Sequence, residues 1–373
     1  MIYQIFGTYP QAYQPYNIRL VEGLKKKGLP IQIVSLNNIP LQKRQEDVIY
    51  TEGVETKFSI SAVAKSNKLK ETNLKKRYKF YKKYSYIVDN PDSIFHFHNL
   101  QNINAELLNY LAENKIKYVI SLRGYDVTVF PLLRKKNQTH LRKLLRHAWK
   151  IHSVCKSLVE EAKKYDETIE SKTQVIYRTP NLNDVFSFTP REQLKQTIQI
   201  FTLSRVHWKK CIVESLISFK KLLDEGQNIH YHIIGGYQGN EEKRLIFTIH
   251  KLGLQEKVTL HGFKTEEEFQ KVIKTMDFCW LPTINEGIPN TLYFLLKSGV
   301  PCIASATDGI PEVIQHGENG LLFEPYNFNQ LTKITKQLIQ DDDLRMSICE
   351  KASNLKLQSI EQEISAYLKL YEV

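Results

Sequence analysis

Two short stretches of the sequence combine charged side chains with the end of a strand and the start of a helix. In the first, LSRVHWKKC, Arg205 and Lys210 flank a turn that leads from an apolar strand into a helix. Two fixed cations at the carboxyl end of a parallel strand can bind a diphosphate, because Arg offers a planar fork of donors and Lys a mobile positive charge. On this stretch alone, a pair of solvated surface cations is a slightly better interpretation.

The second stretch, DFCWLPTINEGIPNTLYFLL, leads from a strand through the Glu286 loop into a helix that begins near Pro289 and Asn290. Pro in the first turn and Asn as a cap are typical helix-start signals. The backbone amides of Asn290, Thr291 and Leu292 would then form an anion site at the helix N-terminus. Glu286 is itself negative, so it suits neutral hydroxyls beside that anion, and the two features together predict a sugar phosphate. The alternative is that Glu286 only caps its own loop.

The elements that would position these residues alternate along the whole chain. Short apolar runs such as IYQIFG, IFHFH, IQIFTLS and YHIIGG are separated by helix-length amphipathic segments. This alternation predicts parallel sheets with helices on both faces, and it occurs twice, with a polar break near 180–195. We therefore predict an α/β protein of two doubly wound domains, 1–185 and 186–356, with a C-terminal helix at about 357–373 that packs back onto the first. Ligands of such folds bind at the carboxyl ends of strands, which favours a site between the domains.

Length and composition indicate the class of protein. The chain has 373 residues, of which 42% are hydrophobic and 25% charged, as in a soluble globular protein. It has no apolar run of about 18 residues, so we expect no transmembrane helix, and its opening, MIYQIFGTYP, is typical of a strand rather than a signal peptide. Five scattered cysteines form no C-x-x-C pair, which favours buried, reduced thiols in a cytoplasmic protein over a zinc site or disulfides.

The net charge of +12 is unevenly distributed. Residues 1–180 hold 31 Lys and Arg against 16 Asp and Glu, a balance of +15, whereas residues 181–373 hold 21 against 24, a balance of −3. Two basic segments, 64–86 and 132–150, interleave Lys or Arg with aromatic or apolar residues. They predict with equal weight a surface for anionic lipid headgroups or solvated helix faces whose long side chains cover apolar surface. A nucleic-acid partner is disfavoured, because neither segment carries a recognition motif.

The order of five motifs in the second half resembles one enzyme family. SRVHWKK, EGIPN, SGVP, DGIPE and HGENGLLF follow one another as in the GT4 family of retaining glycosyltransferases. The opening stretch TYPQAYQPYNIRLVEGLKKKG is similar to that of enzymes that build bacterial exopolysaccharides and lipopolysaccharides. The resemblance covers essentially the whole chain. It implies the GT-B fold, in which two Rossmann-like domains face each other across a cleft, and sugar transfer from a nucleotide-sugar donor with retention of configuration, without a metal ion or other cofactor.

The resemblance also implies a role for each matching residue. Those assigned to catalysis are Arg205, Lys210, Glu286 and His98. The first two would bind the donor diphosphate as it leaves, the third would bind hydroxyls of the donor sugar, and the fourth would contact that sugar from the first domain. The other donor-binding positions are Gly7, Thr8, Gly262, Phe263, Gly287, Asn290, Thr291, Leu292 and Phe294. In the loop SLRGYD, the residues on the acceptor side are Arg123 and Asp126.

The sequence departs from the family pattern at three positions. Phe294 stands where the family has a second glutamate that reaches the ribose hydroxyls, Cys211 where it has glycine, and Arg123 where it often has histidine. Loss of a bidentate carboxylate costs roughly a few kcal/mol of nucleotide binding unless another contact replaces it. An aromatic ring at Phe294 could replace part of it by packing on the ribose.

Together these features predict a cytoplasmic glycosyltransferase, bound peripherally at the inner face of the cell membrane, that adds a sugar to a glycan or lipid-linked acceptor in surface polysaccharide synthesis. The alternative is a non-catalytic GT-B protein that assists a partner transferase as a binding or scaffold subunit, which Phe294 favours. Asp341, Asp342 and Asp343 superficially resemble the acidic metal-binding motif of another glycosyltransferase fold, but they are better interpreted as a helix start.

Overall fold

The computed structural model describes residues 1–10, 15–37, 39–51, 64–66, 73–180, 186–190, 192–194 and 196–372. The chain divides into two compact units. The first comprises Met1–Val154, Leu158–Tyr177 and Gln358–Val373, and the second comprises Cys155–Ser157 and Arg178–Leu357. The predicted domain boundary after residue 185 adjoins 181–185, and these residues lie outside the described part of the chain, as do residues 67–72 of the first basic segment.

Short apolar runs form the strands, because a parallel sheet covered on both faces buries successive side chains alike. In chain order they are β1 (Ile2–Phe6), β2 (Ile31–Ser35), β3 (Val48–Tyr50), β4 (Ile94–Phe97), β5 (Tyr118–Leu122), β6 (Lys150–Ser153), β7 (Thr173–Val175), β8 (Ile198–Leu203), β9 (Ile229–Ile234), β10 (Val258–Gly262), β11 (Phe278–Leu281), β12 (Cys302–Ser305) and β13 (Leu321–Phe323). Within the described residues, the first unit has a seven-stranded sheet in the order β3-β2-β1-β4-β5-β6-β7, and the second a six-stranded sheet in the order β10-β9-β8-β11-β12-β13.

All neighbouring strands in both sheets are parallel. The strand order reverses between β1 and β4 in the first unit and between β8 and β11 in the second. In open α/β sheets such a reversal is a topological switch point, where ligands bind at the carboxyl ends of the strands. The prediction of two doubly wound α/β units is confirmed.

The amphipathic segments between the strands form the helices, which cover the sheets. In chain order they are α1 (Pro15–Lys26), α2 (Leu74–Val88), α3 (Ala105–Glu113), α4 (Tyr125–Thr128), α5 (Lys135–His147), α6 (Lys156–Lys163), α7 (Ile212–Asp224), α8 (Glu241–Lys251), α9 (Glu266–Ile273), α10 (Asn290–Lys297), α11 (Phe328–Gln340), α12 (Asp342–Ser353) and α13 (Ile360–Leu370). Short 3₁₀ turns connect several of them, and the turn Trp208–Lys210 lies between β8 and α7.

The C-terminal helix α13 packs into the core of the first unit. Its Ile364 and Tyr367, with Tyr371 just beyond its end, lie among buried residues of β1, α1 and β5. The helix begins at a capping box, in which the Ser359 hydroxyl accepts from the Gln362 amide and the Gln362 side chain accepts from the Ser359 amide. The cap fixes the first turn, and the apolar stripe that follows covers the sheet.

The second unit has its own core around Tyr231 and Trp280, which are both fully buried. Their polar atoms are satisfied inside that core. The Tyr231 hydroxyl lies 2.7 Å from Thr202 Oγ1, and Trp280 Nε1 donates to Thr335 Oγ1 at 3.1 Å. Buried aromatic residues with bonded polar tips give large apolar area without an unsatisfied group, and so hold β8, β9 and β11 in a fixed register.

Candidate active site

The residues predicted to bind the donor diphosphate and sugar follow two neighbouring strands of the second unit. β8 and β11 are paired in parallel and flank the switch point of the sheet. Lys210 lies in the turn after β8, and Glu286 lies in the loop after β11. Because the carboxyl ends of parallel strands meet at one edge of a sheet, the two residues are brought to the place where ligands of such sheets bind.

Glu286 is held between two lysines. Its Oε2 lies 2.8 Å from Lys210 Nζ and 3.4 Å from Lys209 Nζ. The side chains of Lys210 and Glu286 are only 14% and 22% exposed, so water screens the pair weakly. Burial raises the pKa of the Glu286 carboxyl, but the charges and hydrogen bonds of Lys210 and Lys209 outweigh burial and lower that pKa to about 2. Glu286 is therefore ionised throughout the neutral range.

Hydrogen bonds fix the Glu286 loop against the turn that carries the lysines. The Lys209 carbonyl accepts from the Ile284 amide at 2.8 Å and from the Thr283 hydroxyl at 3.0 Å. The Asp308 carboxylate accepts from the Glu286 amide at 2.6 Å. The Glu286 carboxylate itself contacts lysines of another loop, so the alternative that it only caps its own loop does not describe the site.

Gly287 is packed beneath the backbone of the loop after β12. The Gly309 amide donates to the Gly287 carbonyl at 2.9 Å. A Cβ atom at Gly309 would lie 2.5 Å from that same carbonyl oxygen and 2.6 Å from Ile288 Cγ1, closer than side-chain carbons pack in proteins. The close approach therefore requires glycine at position 309, and it sets the position of the loop that carries Glu286.

Arg205 has different partners from Lys210. It is exposed, and its Nη1 donates to Gln238 Oε1 at 3.1 Å in the loop after β9. The two loops are closely packed, because a Cβ atom at Gly235 would lie 2.0 Å from the Ser204 carbonyl oxygen. The structure thus brings Lys210 to Glu286 and places Arg205 on the neighbouring loop, open to solvent.

Gly262 and Phe263, predicted to lie near the nucleotide base, stand at the carboxyl end of β10, next to β9 in the sheet. Gly262 has a φ of +64°, a left-handed conformation that favours glycine. Its carbonyl accepts from the Gly235 amide at 2.8 Å, which joins it to the loop after β9. The Phe263 side chain is 75% exposed, so its ring face is accessible to a stacking partner.

The start of α10 differs from the prediction at the cap. Pro289 is the N-cap and Asn290 the first helical residue, so the assignment of Asn290 as the cap is wrong. The Leu292 amide donates to the Pro289 carbonyl at 3.0 Å, which engages one of the three amides expected to hold a phosphate. The amides of Asn290 and Thr291 have no acceptor in the part of the chain that the structure describes, as is usual in a first helical turn.

Phe294 belongs to a group of aromatic rings. Its ring centroid lies 5.4 Å from that of Phe186 and 5.5 Å from that of Phe269, the latter edge-on at 90°. Lys274 Nζ lies 6.0 Å from the centre of the Phe186 ring. Where the family pattern implies a carboxylate, this chain therefore builds an apolar group flanked by a cation.

The predicted residues of the first unit follow the two strands at its own switch point. Gly7 and Thr8 come after β1, and His98 comes after β4. Asn37, after β2, bonds both residues of the first loop: its amide donates to the Gly7 carbonyl at 2.7 Å and its side chain to Thr8 Oγ1 at 3.1 Å. The first unit thus presents an ordered loop at the edge where a ligand of its sheet would bind.

His98 is fully buried, and both of its ring nitrogens are engaged. Nε2 lies 2.7 Å from Gln4 Oε1, and Nδ1 lies 2.7 Å from Arg123 Nη2. Arg123, half-buried, lies closer to solvent than His98, so the contact of His98 with a donor sugar stays a prediction. Burial raises the pKa of the Asp126 carboxyl, against the opposing effect of the Arg123 amide, which donates to Asp126 Oδ2 at 3.2 Å.

Four further expectations concern the rest of the chain. Asp341 caps α12 by accepting from the Leu344 amide at 2.8 Å, which confirms that the acidic run starts a helix. Among the residues described here, no group of three or more His, Cys, Asp or Glu side chains is arranged to hold a metal ion. Nor is any helix in the described ranges long and apolar enough to cross a membrane. All five cysteines are buried.

Comparison with known proteins identifies relatives of the sequence. Residues 187–355 match the family described as Glycosyl transferases group 1. The chain is 28% identical over 194 residues to the amylovoran biosynthesis glycosyltransferase AmsK of Erwinia amylovora, covering 50% of this chain and 47% of AmsK. It is 24% identical over 284 residues to N-acetyl-alpha-D-glucosaminyl L-malate synthase of Bacillus anthracis, covering 72% of this chain and 71% of that protein. The chain spans about half the length of AmsK.

Solved structures share the fold over the full length. The crystal structure of Anabaena Alr3699/HepE in complex with UDP and glucose has a TM-score of 0.71 against this chain, covers 99% of both chains and is 14% identical in sequence. At this identity the similarity shows a common fold, and it does not show that the two proteins bind the same ligands. The predicted family and the predicted GT-B fold are both confirmed. The chain has the GT-B fold, and its residues 187–355 match the group 1 glycosyl transferases.

Proposed function

We propose that this chain is a retaining glycosyltransferase that moves a sugar from a nucleotide-sugar donor to a glycan or lipid-linked acceptor in surface polysaccharide synthesis. The observation that carries the proposal is the position of the Glu286 carboxylate, which contacts both Lys209 and Lys210 at the switch point of the second sheet. The match of residues 187–355 to the group 1 family and the similarity to the amylovoran enzyme AmsK support it.

The residues suit the charges that develop during sugar transfer. Breaking the bond between a sugar and a nucleoside diphosphate places negative charge on the diphosphate and positive character on the sugar ring. Lys210, with Arg205 on the neighbouring loop, would stabilise the leaving diphosphate, since fixed cations need no reorganisation during the reaction. Because these cations supply the compensation that a metal ion gives in other enzymes, we propose catalysis without a metal. Retention then follows from attack on the face that the diphosphate leaves.

Lys209, which the sequence reasoning did not single out, gives the site a second counterion. In the free protein both lysines neutralise Glu286. When a donor diphosphate draws Lys210 away, Lys209 still lies 3.4 Å from the carboxylate. Glu286 would therefore remain ionised and accept hydrogen bonds from donor-sugar hydroxyls, which are stronger when the acceptor is charged.

The first unit would bind the acceptor, with Arg123 and Asp126 on that side, and lie against an anionic membrane surface. Leu132 and Leu133, at the end of a 3₁₀ turn, are 71% and 59% exposed. They directly precede the cations Arg134, Lys135 and Lys136. Exposed leucines beside clustered cations suit the boundary between lipid headgroups and acyl chains. The proposal therefore places the protein in the cytoplasm, peripherally at the inner face of the membrane.

A calorimetric titration with UDP, GDP and their sugar conjugates tests the proposal. We expect the wild type to bind one conjugate in the micromolar range and Lys210→Ala to bind it about 10- to 100-fold more weakly, because a charge-assisted contact is worth about 1.5–3 kcal/mol. The matched control is Lys220→Ala, which removes a half-exposed cation that pairs with its own helix neighbour Asp224. Binding by Phe294→Glu but not by the wild type would favour the non-catalytic alternative.

A further inference from the structure

A continuous chain of hydrogen bonds crosses the interior of the first unit. This buried hydrogen-bond chain runs, in order, through the Arg123 guanidinium, His98, Gln4, Tyr371, His96, Ser121, His152 and the carbonyl of Ile176. Its successive distances in that order are 2.7, 2.7, 2.9, 2.6, 2.8, 2.9 and 3.2 Å. The six side chains between its ends are almost completely buried, so each polar atom depends on its protein partner.

The Arg123 end determines where the first protons lie. A guanidinium only donates, so His98 Nδ1 must accept and the proton of the neutral ring is on Nε2. That Nε2–H donates to Gln4 Oε1. The amide orientation of Gln4 is thereby fixed, and its Nε2 donates to the Tyr371 hydroxyl oxygen.

The Ile176 end gives an independent assignment. A carbonyl only accepts, so His152 Nε2 donates to it and, in a neutral ring, His152 Nδ1 accepts from the Ser121 hydroxyl. The Ser121 oxygen then accepts from His96 Nε2–H, and His96 Nδ1 accepts from the Tyr371 hydroxyl. Burial, with His152 and Arg123 nearby, lowers the pKa of His96 well below its usual value, so this ring is neutral.

The two assignments agree in direction and meet at Tyr371, which accepts from Gln4 and donates to His96. Burial raises the pKa of Tyr371 well above its usual value, against the opposing Gln4 hydrogen bond, so the hydroxyl keeps the proton that it donates. No link in the chain places two donors or two acceptors face to face. One hydroxyl from the C-terminal segment therefore closes the whole network.

We propose that Tyr371 is a positioning residue for the candidate site. It holds Gln4 in the orientation that accepts from His98, and His98 Nδ1 therefore stays the acceptor that positions the Arg123 guanidinium. The Arg123 guanidinium also donates to Asn17 Oδ1 at 3.3 Å and lies 5.7 Å from the centre of the Tyr16 ring. These contacts restrict it to one side of His98. Arg123 is thus a cation whose direction is set from the interior of the unit.

Loss of the Tyr371 hydroxyl would release this arrangement. In its present orientation Gln4 would then have a side-chain NH2 group without an acceptor, and in the reversed orientation a side-chain carbonyl without a donor. The free-energy costs of these two unsatisfied groups are similar. In the reversed orientation Gln4 would donate to His98 Nε2, which would move the ring proton to Nδ1. A protonated Nδ1 would then face the Arg123 donor, and the guanidinium would move away from His98.

Nitrogen-15 NMR of the histidine rings in the full chain tests the proposal without any ligand. In the wild type we expect His98 to be neutral with its proton on Nε2, and in Tyr371→Phe we expect the Nδ1–H tautomer to become populated. The matched control is Tyr367→Phe, which removes an equally buried hydroxyl of α13 that lies over His152 and outside the chain. A charged or Nδ1–H ring in the wild type, or a His98 signal that Tyr371→Phe leaves unchanged, overturns the proposal.

The kinetic consequence rests on the proposed function and is tested separately. If Arg123 binds the acceptor, Tyr371→Phe should raise the KM for the acceptor about 10-fold while kcat changes less, and Tyr367→Phe should change neither. A shift of the His98 tautomer with an unchanged acceptor KM would refute the acceptor role of Arg123 and leave the positioning by Tyr371 supported. The two proposals therefore fail by different measurements.

Discussion

At the scale of single residues, Glu286 has the most strongly stabilised charge of the candidate site. Its pKa of about 2 lies below the usual 4.5, because two lysines outweigh the effect of burial. A carboxyl whose pKa is lowered in the folded state stabilises that state above its unfolded pKa, and the contribution is lost as pH falls through the folded pKa. For Glu286 this window extends from about pH 4.5 down to about pH 2.

Glu286→Gln should therefore lower the free energy of unfolding by an amount that depends on pH. We expect a loss on the order of 3 kcal/mol at pH 7, since each pKa unit corresponds to about 1.4 kcal/mol, with the difference from wild type shrinking below pH 4.5. Denaturant unfolding at a series of pH values measures it. The control Glu267→Gln removes an exposed carboxylate paired with Lys271 and should have no measurable effect. A pH-independent difference would contradict the lysine-stabilised charge.

Phe294→Glu should exchange stability for nucleotide affinity. Loss of the contacts with Phe186 and Phe269 is expected to lower the free energy of unfolding by roughly 1–3 kcal/mol. If position 294 faces the ribose, the new carboxylate should tighten nucleotide binding about 10-fold relative to Phe294→Leu, which removes the ring without adding charge. Chemical denaturation and calorimetry report the two effects. Equal affinities of the two variants would place the ribose elsewhere.

Sequence reasoning reached some of these residues and missed others for physical reasons. Lys210 and Glu286 could each be singled out in advance, because both follow predicted strands and ligands of such folds bind at the carboxyl ends of strands, although the ion pair between them was not predicted. Lys209 could not, since the direction of its side chain depends on how the 3₁₀ turn after β8 is wound. The sequence also did not indicate that both His98 nitrogens are engaged. One of them contacts Gln4, and the orientation of Gln4 depends on Tyr371, which is 367 residues away.

At the scale of elements, the site is built from loops that follow neighbouring strands and pack on each other's backbone. The alternation of apolar runs and amphipathic segments predicted parallel sheets covered by helices and a ligand site at the carboxyl ends of strands, whereas the three-residue strands β3, β7 and β13 were not predicted. The detail of the α10 cap was not predictable from residue preferences. Asn is favoured at N-caps, yet here Pro289 takes that position and Asn290 is already helical.

Gly309→Ala should displace the Glu286 loop. Its Cβ atom would lie 2.5 Å from the Gly287 carbonyl oxygen, and backbone cannot move aside as a flexible side chain does. We expect the free energy of unfolding to fall by roughly 1–3 kcal/mol and donor binding to weaken. The control is Gly236→Ala, whose nearest neighbouring atom would be Phe263 Cβ at 3.9 Å. Unchanged unfolding and binding in Gly309→Ala would show that the loop tolerates movement at this contact.

At the scale of the whole molecule, net charge distinguishes the two halves of the chain. The first 180 residues have a balance of +15 and the remainder −3. Positive charge alone attracts anionic lipid over about one Debye length, and exposed leucines add a contribution that salt does not screen. A surface that combines both should therefore bind vesicles in a partly salt-resistant manner.

Leu132→Asp together with Leu133→Asp should weaken binding to vesicles of phosphatidylglycerol and phosphatidylethanolamine at least several-fold at physiological salt, because it removes apolar contact and adds repulsion. Flotation or sedimentation with vesicles measures the change. The matched control is Ile246→Asp with Phe247→Asp, another adjacent pair of exposed apolar residues, in the second unit. Equal weakening by both pairs would mean that the membrane does not select the first unit.

The bond between Gln4 and Tyr371 also sets an order for biosynthesis. β1 leaves the ribosome before the second unit is made, whereas the hydroxyl that completes its hydrogen bonding is 367 residues downstream. At about 5–20 residues per second, translation separates the two by roughly 20–70 seconds. During that interval the whole second unit is made while the place of α13 on the first sheet stays uncovered. The first unit thus begins to emerge before the second and closes after it, and until then it exposes an apolar surface that α13 covers in the folded protein.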